Sequence, residues 1–311
     1  MEVLEVEGVR ISGIAACVPE NAVANDAKVA SATGIPARRV ALDGVSLLDL
    51  CCVAAERVLK DTQSTPEEFG AILAVSFTQH ERMPCLAAQA QARLGFPKGI
   101  LAFDVMQACA GWCYGLYLAS LLARETGKKV LLLDGDKQSE FLDASDAATS
   151  PLLSDGSTAA IVERGSAAWQ FSFLTDGEKG GALRLEKDST IQMDGFGVFR
   201  FVATDVVAFL KSFLVPCSLF PVPCFFVPHQ PNVYMVRQLA KALGLADRTL
   251  ISADRFGNLA SASISATIAA NADVLAGKEA TLLVSGFGGG LAISAARISL
   301  PADCRLSVNV I

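Results

Sequence analysis

Three residues carry the chemistry this sequence offers: Cys109, His229 and Asn258. Cys109 lies in Phe103-Asp104-Val105-Met106-Gln107-Ala108-Cys109-Ala110-Gly111. The first of these residues read as the end of a buried strand. Residues 110–122 read as a helix, with Leu116, Ala119, Ser120 and Ala123 at helical spacing. A thiol where a strand turns into a helix feels the positive end of the helix dipole and the unpaired N–H groups of the first turn. Both favour thiolate, the form that attacks carbonyls. Ala108, Ala110 and Gly111 leave room for a substrate. The plainer reading of such a position is a buried Cys acting as a small hydrophobe.

His229, one of 2 histidines, sits in Val227-Pro228-His229-Gln230-Pro231-Asn232, at the C-terminal end of a strand-like segment. Ligands gather at that end of α/β sheets. Asn258 follows Arg255-Phe256-Gly257. Cys, His and an amide that converge are the parts for acyl transfer. The Cys holds the acyl group as a thioester, and the other two donate hydrogen bonds to oxygens that become negative. The run Ser285-Gly286-Phe287-Gly288-Gly289-Gly290 lacks the spacing and context of a dinucleotide fingerprint. Its glycines let a backbone approach a substrate closely, and an oxyanion hole of the Gly289 and Cys109 amides fits that pattern. A tight turn into residues 291–298 is the alternative.

The elements that must position these residues alternate. Strands are expected over residues 9–18, 71–77 and 129–134, and helices over 46–60 and 84–94. Gly95 closes the second helix, and residues 152–162 turn into a further strand. This order predicts a layered α/β fold with a largely parallel sheet. The order then repeats: a strand at 225–227, a helix at 234–243, a small-residue helix at 260–276 and a strand at 281–285. The interval from Gly95 to Cys109 equals that from Gly244 to Asn258. A duplicated half-domain follows, with halves 1–165 and 166–311 and with Asn258 as the counterpart of Cys109. Two-fold related halves bring these loops to one junction.

Composition narrows the function. The 311 residues are 52% hydrophobic, yet no window is an unbroken apolar run of membrane-spanning length. The most apolar stretch, 198–227, is interrupted by Arg200, Asp205, Lys211, Pro216, Pro221 and Pro223. Such apolarity predicts thick internal layers or an obligate oligomer interface. A net charge of −6 without a basic run argues against nucleic acid. The 9 cysteines, an odd number without metal-ligand spacing, read as reduced thiols of a cytoplasmic protein. The start Met1-Glu2-Val3-Leu4-Glu5 lacks the basic opening of a signal peptide. No metal and no cofactor are expected.

With these motifs in hand, the chain resembles the ketoacyl-acyl-carrier-protein synthase III family of the thiolase superfamily. Ala108-Cys109-Ala110-Gly111, residues 154–160 (Ser-Asp-Gly-Ser-Thr-Ala-Ala), the His229 and Asn258 motifs and residues 286–290 carry the likeness, nearly in register throughout. The resemblance implies a five-layered αβαβα fold of two duplicated halves, a homodimer, and a Cys109–His229–Asn258 triad. It also implies an acyl thioester, carrier-bound or on coenzyme A, that loads Cys109, and a malonyl-carrier protein that is then decarboxylated and condensed. By the same likeness, Thr33, Met83, Phe199 and Asn232 are expected at the substrate pocket. Met83 there reaches across from the partner subunit in the loop Thr78-Gln79-His80-Glu81-Arg82-Met83-Pro84. Arg200, Arg237 and Lys241 are the cations for docking acyl-carrier protein.

The chain departs from the family at the coenzyme A contacts. The family's Trp and Arg before Thr-Gly-Ile are missing from residues 28–32, a further nucleotide-contacting Arg is Ala147, and a docking Arg is Tyr234. Losing a stacking Trp and an Arg–phosphate contact weakens coenzyme A binding. A carrier-bound donor is therefore one expectation. Acyl transfer to an oxygen or nitrogen nucleophile, or a quiet subunit of a heterodimer, are the alternatives weighed against condensation.

Overall fold

The computed structural model describes residues 2–81, 83–214 and 223–311; Arg82, Pro216 and Pro221 lie outside the described residues. In chain order the first half runs β1 (Leu4–Val18), β2 (Ala22–Ala24), α1 (Ala27–Thr33), β3 (Ala37–Arg39), α2 (Leu47–Thr62), β4 (Phe69–Val75), α3 (Leu86–Arg93), β5 (Leu101–Val105), α4 (Gly111–Thr126), β6 (Lys129–Asp136) and β7 (Gly156–Thr175). Next come β8 (Leu183–Arg184), β9 (Gln192–Met193), α5 (Gly195–Phe201), α6 (Val207–Phe213), β10 (Cys224–Pro228), α7 (Val233–Leu243) and α8 (Ala253–Phe256). The chain ends with α9 (Ser263–Ala270), α10 (Ala272–Leu275), β11 (Ala280–Gly288), β12 (Ala292–Leu300) and β13 (Arg305–Val310).

Local chemistry sets the helix ends. Ser46 accepts from the Asp49 N–H while the Asp49 carboxylate accepts from the Ser46 N–H, so α2 starts in a capping box. Its buried face carries Leu50, Cys51, Ala54 and Val58. Helix α7 starts at Asn232, whose side chain accepts from the Met235 N–H, and stops at Gly244 in the left-handed conformation.

Side-chain alternation sorts the strands into layers. Ala71, Leu73 and Val75 of β4 enter a central core, while Ile72 and Ala74 face an outer one built on α2 and α3. Leu282 and Val284 of β11 enter the same central core, and Leu283 faces Phe209, Leu210 and Leu239 of α6 and α7. Helices α4 and α9 fill the centre through Trp112, Leu116, Ile264 and Ile268. The result is five layers, αβαβα. Each fully buried Trp, Phe, Leu or Ile contributes roughly 1.5–3 kcal/mol.

The sheets are mixed rather than largely parallel. Strands β5, β4 and β6 are parallel neighbours, as are β10 and β11. The pairs β6–β7, β11–β12 and β12–β7 are antiparallel. Strands β11 and β12 are joined directly, which only an antiparallel pair permits. Strand β7 joins the two β layers into one nine-stranded sheet: its residues 156–162 pair with β6 and its residues 170–175 with β12. The expected boundary at 165/166 therefore falls inside a strand, at the irregularity where Val9 faces both Arg164 and Ala167.

Three local expectations are corrected. Strand β5 is not buried: among the described residues it pairs only with β4, and Leu101 and Phe103 are 50% and 36% exposed. The helix expected over 260–276 is broken into a 3-10 turn, α9 and α10. The break is at Asn271, whose side chain donates to the Thr267 and Ile251 carbonyls. The counterpart of Cys109 is Ser261, not Asn258. Matching 3-10 turns, Ala108–Ala110 and Ala260–Ala262, each open on an alanine with positive φ (42° and 46°) and each lead into a central helix. The equal intervals count to a residue three positions earlier.

A buried carboxylate is one of the ties between the halves. Asp136, at the end of β6, is fully buried. Its Oδ1 accepts from Ser76 Oγ, the Phe77 N–H and Thr78 Oγ1, each at 3.0 Å. Its Oδ2 accepts from the Ser261 N–H at 3.1 Å and Ser261 Oγ at 2.6 Å. A hydrogen bond to a charged group contributes about 1.5–3 kcal/mol. Ser261→Ala is expected to lower stability in urea unfolding by about that much. An unchanged midpoint would show that the bond between the halves carries no load.

Candidate active site

Cys109, His229 and Asn258 line one cavity of about 320 Å³. Each arrives on a different element. Cys109 sits in the turn between β5 and α4, held from below by Ser294 Oγ of β12, which donates to the Ala110 carbonyl at 2.8 Å. Strand β11 passes against that turn because it has no side chains there. A Cβ on Gly286 would stand 2.7 Å from the Cys109 carbonyl oxygen and 2.8 Å from Ala110 Cα, and one on Gly288 would stand 3.0 Å from Cys109 Cβ.

His229 follows β10, and its backbone N–H donates to the Ser285 carbonyl at 2.7 Å. Its ring meets the Phe287 ring edge-on, centroids 5.4 Å apart. Asn258 is fixed at both ends of its peptide: its N–H donates to the Leu152 carbonyl, and its carbonyl accepts from the Ser154 N–H, both at 2.9 Å. Gln138 Nε2 adds a second bond to that carbonyl, at 2.8 Å. The Asn258 side chain is oriented too. Its Oδ1 accepts from the Ala260 N–H at 2.9 Å, so Nδ2 is the end left for the cavity.

Two family models match this chain: 3-oxoacyl-[acyl-carrier-protein (ACP)] synthase III over residues 103–177, and the synthase III C-terminal model over residues 224–300. The chain is 32% identical over 290 residues to the beta-ketoacyl-[acyl-carrier-protein] synthase III of Tropheryma whipplei, covering 86% of this chain and 88% of that one. It is 30% identical over 312 residues to the enzyme of that name from Streptococcus thermophilus, covering 91% and 96%. Among solved structures, the 3-oxoacyl-(acyl-carrier protein) synthase from Burkholderia xenovorans superposes with a TM-score of 0.93 at 29% identity, over 100% of this chain and 99% of that chain. The chain belongs to the synthase III family.

In this synthase III the other expected site residues are scattered. Gly289 lines the cavity, but Gly288 is the glycine packed against Cys109. Thr33 and Asn232 do not line it. The Thr33 hydroxyl donates to the Val29 carbonyl and accepts from the Ile35 N–H, closing the end of α1, and Asn232 caps α7. Phe199 lies on the exposed side of α5, while Val198, Phe201 and Val202 face the cavity. Met83 is 88% exposed and lines no part of this protomer's cavity. Arg200 is exposed on α5, and Arg237 and Lys241 are exposed one turn apart on α7.

Sequence reasoning missed Asp136, Gln138, Thr149 and the wall formed by Leu183, Ile191 and Met193. For Asp136 a signal existed: Asp134-Gly135-Asp136 puts two acids at the end of the apolar run Val130-Leu131-Leu132-Leu133. Asp134 is also fully buried, and its oxygens have no partner among the described residues. Burial and the Asp136 charge push it well above the ordinary carboxylate value.

The electrostatics reverse the expectation of a ready thiolate. Burial and the neighbouring Asp136 charge push the Cys109 thiol up to about 12. Helix α4 begins two residues beyond it, so its dipole does not outweigh burial. Burial pushes His229 down to about 3, against a backbone hydrogen bond at Ala260, which leaves a neutral imidazole at working pH. Burial likewise raises Asp136 to about 6, with its five hydrogen bonds opposing. In the free enzyme, alkylation of Cys109 by iodoacetamide is expected to rise about tenfold per pH unit and to be still climbing at about pH 10. A plateau near neutrality would mean the thiol is ionised before substrate arrives.

Proposed function

We propose that this synthase III takes an acyl group from a thioester onto Cys109 and joins it to the carbanion formed when a malonyl-carrier protein loses carbon dioxide. In loading, Cys109 Sγ attacks the thioester carbonyl, and its proton leaves with the departing donor thiol. In condensation, the malonyl carboxylate leaves as carbon dioxide and its electron pair forms an enolate. That carbon attacks the acyl carbonyl, and Sγ departs as thiolate and takes a proton from solvent. The product is a 3-oxoacyl group on the carrier.

One observation carries the reading: Cys109, neutral His229 and the free Asn258 Nδ2 share one largely apolar cavity. His229 and Asn258 are assigned to the enolate oxygen, and the Cys109 and Gly289 N–H groups to the oxyanion of the acyl carbonyl. Such donors strengthen as charge develops in a dry site and need no charge of their own. The family membership and the names of the relatives support the same activity. No metal and no cofactor enters these steps.

Partners follow from the surface. Arg200, Arg237 and Lys241 form no ion pair with a described residue and are assigned to acyl-carrier protein docking. The coenzyme A contacts absent from residues 28–32 support a carrier-bound donor. The open edge of β5, with Leu101, Phe103, Met106 and Met83 exposed, supports a homodimer in which Met83 shapes the partner's acyl pocket. No helix among the described residues is long and apolar enough to cross a membrane.

Cys109→Ala is expected to abolish the acyl adduct seen by intact-protein mass spectrometry, with folding retained because the volume lost is small. A persistent adduct would remove the nucleophile assignment. His229→Ala and Asn258→Ala are each expected to slow malonyl decarboxylation by roughly 10²–10³ and self-acylation much less. Equal losses in both steps would overturn that division of roles. Sedimentation at micromolar concentration is expected to show a dimer, with Met83→Phe and Met83→Ala changing chain preference. A fully active monomer would refute the arrangement.

A further inference from the structure

The backbone that carries Asn258 starts from a pivot. Gly257, just before it, has φ 71° and ψ −159°, a conformation that residues with a side chain rarely adopt. Such a segment keeps Asn258 in one place only if other groups clamp it. One side of the clamp is backbone: the Asn258 N–H donates to the Leu152 carbonyl and the Ser154 N–H donates to the Asn258 carbonyl, both at 2.9 Å. The other side is Gln138. Its Nε2 donates to the Asn258 carbonyl at 2.8 Å and to the Ser154 carbonyl at 2.7 Å, and two carbonyl partners fix which end of the amide is nitrogen. Among the described residues it is the one side chain that bonds the Asn258 backbone.

Gln138 is itself held on both sides. It is buried and opens the 3-10 turn Gln138–Phe141 that follows β6. The Lys137 N–H before it donates to Thr78 Oγ1 at 2.9 Å. After it, the Asp155 carboxylate accepts from the Ser139 N–H at 2.9 Å and from Ser139 Oγ at 2.6 Å. One anchored amide thus spends both of its N–H groups on two separate segments, and joins β6 of the first half to the loop that presents Asn258. An apolar side chain of the same length would fill the space and give neither carbonyl a donor. The Asn258 side chain follows its backbone, because its Oδ1 is tied to the Ala260 N–H of the same segment at 2.9 Å. Where that backbone sits therefore decides where Nδ2 points.

Building on the assignment of Asn258 to the enolate oxygen under Proposed function, we infer that Gln138 is a positioning residue for condensation: it holds the Asn258 backbone so that Nδ2 meets the oxygen formed when the malonyl group loses carbon dioxide. In this role it acts through Asn258 and touches no reacting atom. A misplacement of about 1 Å costs roughly a hundredfold in a step that depends on the misplaced group. Loading of Cys109 does not use Asn258, so the two half-reactions separate the effect.

The test is a double-mutant cycle on the full chain. Decarboxylation of malonyl-carrier protein and acylation of Cys109 by butyryl-N-acetylcysteamine are measured separately for Gln138→Met, for Asn258→Ala and for the pair. Gln138→Met keeps the length of the side chain and loses both donors. It is expected to slow decarboxylation about tenfold to a hundredfold and acylation much less. Added to Asn258→Ala, it is expected to slow decarboxylation by less than about twofold more, since its effect passes through a side chain already removed. Additive losses in the pair would place the effect elsewhere and overturn the inference. Normal decarboxylation in Gln138→Met beside a slow Asn258→Ala would overturn it too. If Gln138→Met does not fold, Gln138→Asn, whose amide is one methylene too short to bridge both carbonyls, goes through the same cycle and is judged by the same two outcomes. Decarboxylation at the wild-type rate in Asn258→Ala would instead overturn the assignment of Asn258 on which the inference rests.

Discussion

The structure depends on keeping one charged carboxylate, Asp136, dry. Burying a carboxylate costs several kcal/mol unless its lone pairs are filled. Here five donors fill them, drawn from the end of β4 and from the turn before α9. The two halves of the duplicated fold are thus pulled together at the place where their loops must meet. Phe77, Gln138 and Asn258 all lie within three residues of a member of this network, so the cavity inherits its shape from it. Even so, burial wins part of the contest, and the acid sits near 6 instead of in the ordinary carboxylate range.

That charge also shapes the chemistry. A negative group near Cys109 opposes a resting thiolate, and burial keeps His229 neutral. Neither Cys109 nor His229 therefore carries a charge in the free site. It offers oriented N–H donors where a reacting carbonyl or enolate develops charge, in surroundings apolar enough to make them strong. A thiol held neutral until substrate arrives is also a weaker target for stray electrophiles.

The duplication is visible in the backbone more than in the side chains. Ala108 and Ala260 share a strained positive φ, and each begins the turn that feeds a central helix. One copy of the turn presents Cys109, the proposed nucleophile, to the cavity. The other presents Ser261 to Asp136, and its half supplies Asn258 from a position three residues earlier. Equivalent backbone thus serves chemistry in one half and cohesion in the other.

The sequence by itself determined much of this. Alternating strands and helices, their repetition, and a Cys, a His and an Asn at strand ends were legible because each depends on local period or on residue type. The fold, the family and the three candidate residues followed. What only the tertiary structure decided depends on contacts between distant segments. The level of the Cys109 thiol was misjudged because burial and Asp136 are brought to it by other parts of the chain. Thr33 and Asn232 were misplaced because motif matching does not show that their polar atoms are spent on helix ends. The cavity wall of Leu183, Ile191 and Met193 was missed because it comes from short, irregular elements with no period to read. Gln138 was equally silent: its place is set by the Ser154 and Asn258 carbonyls, and Asn258 lies far away in the chain.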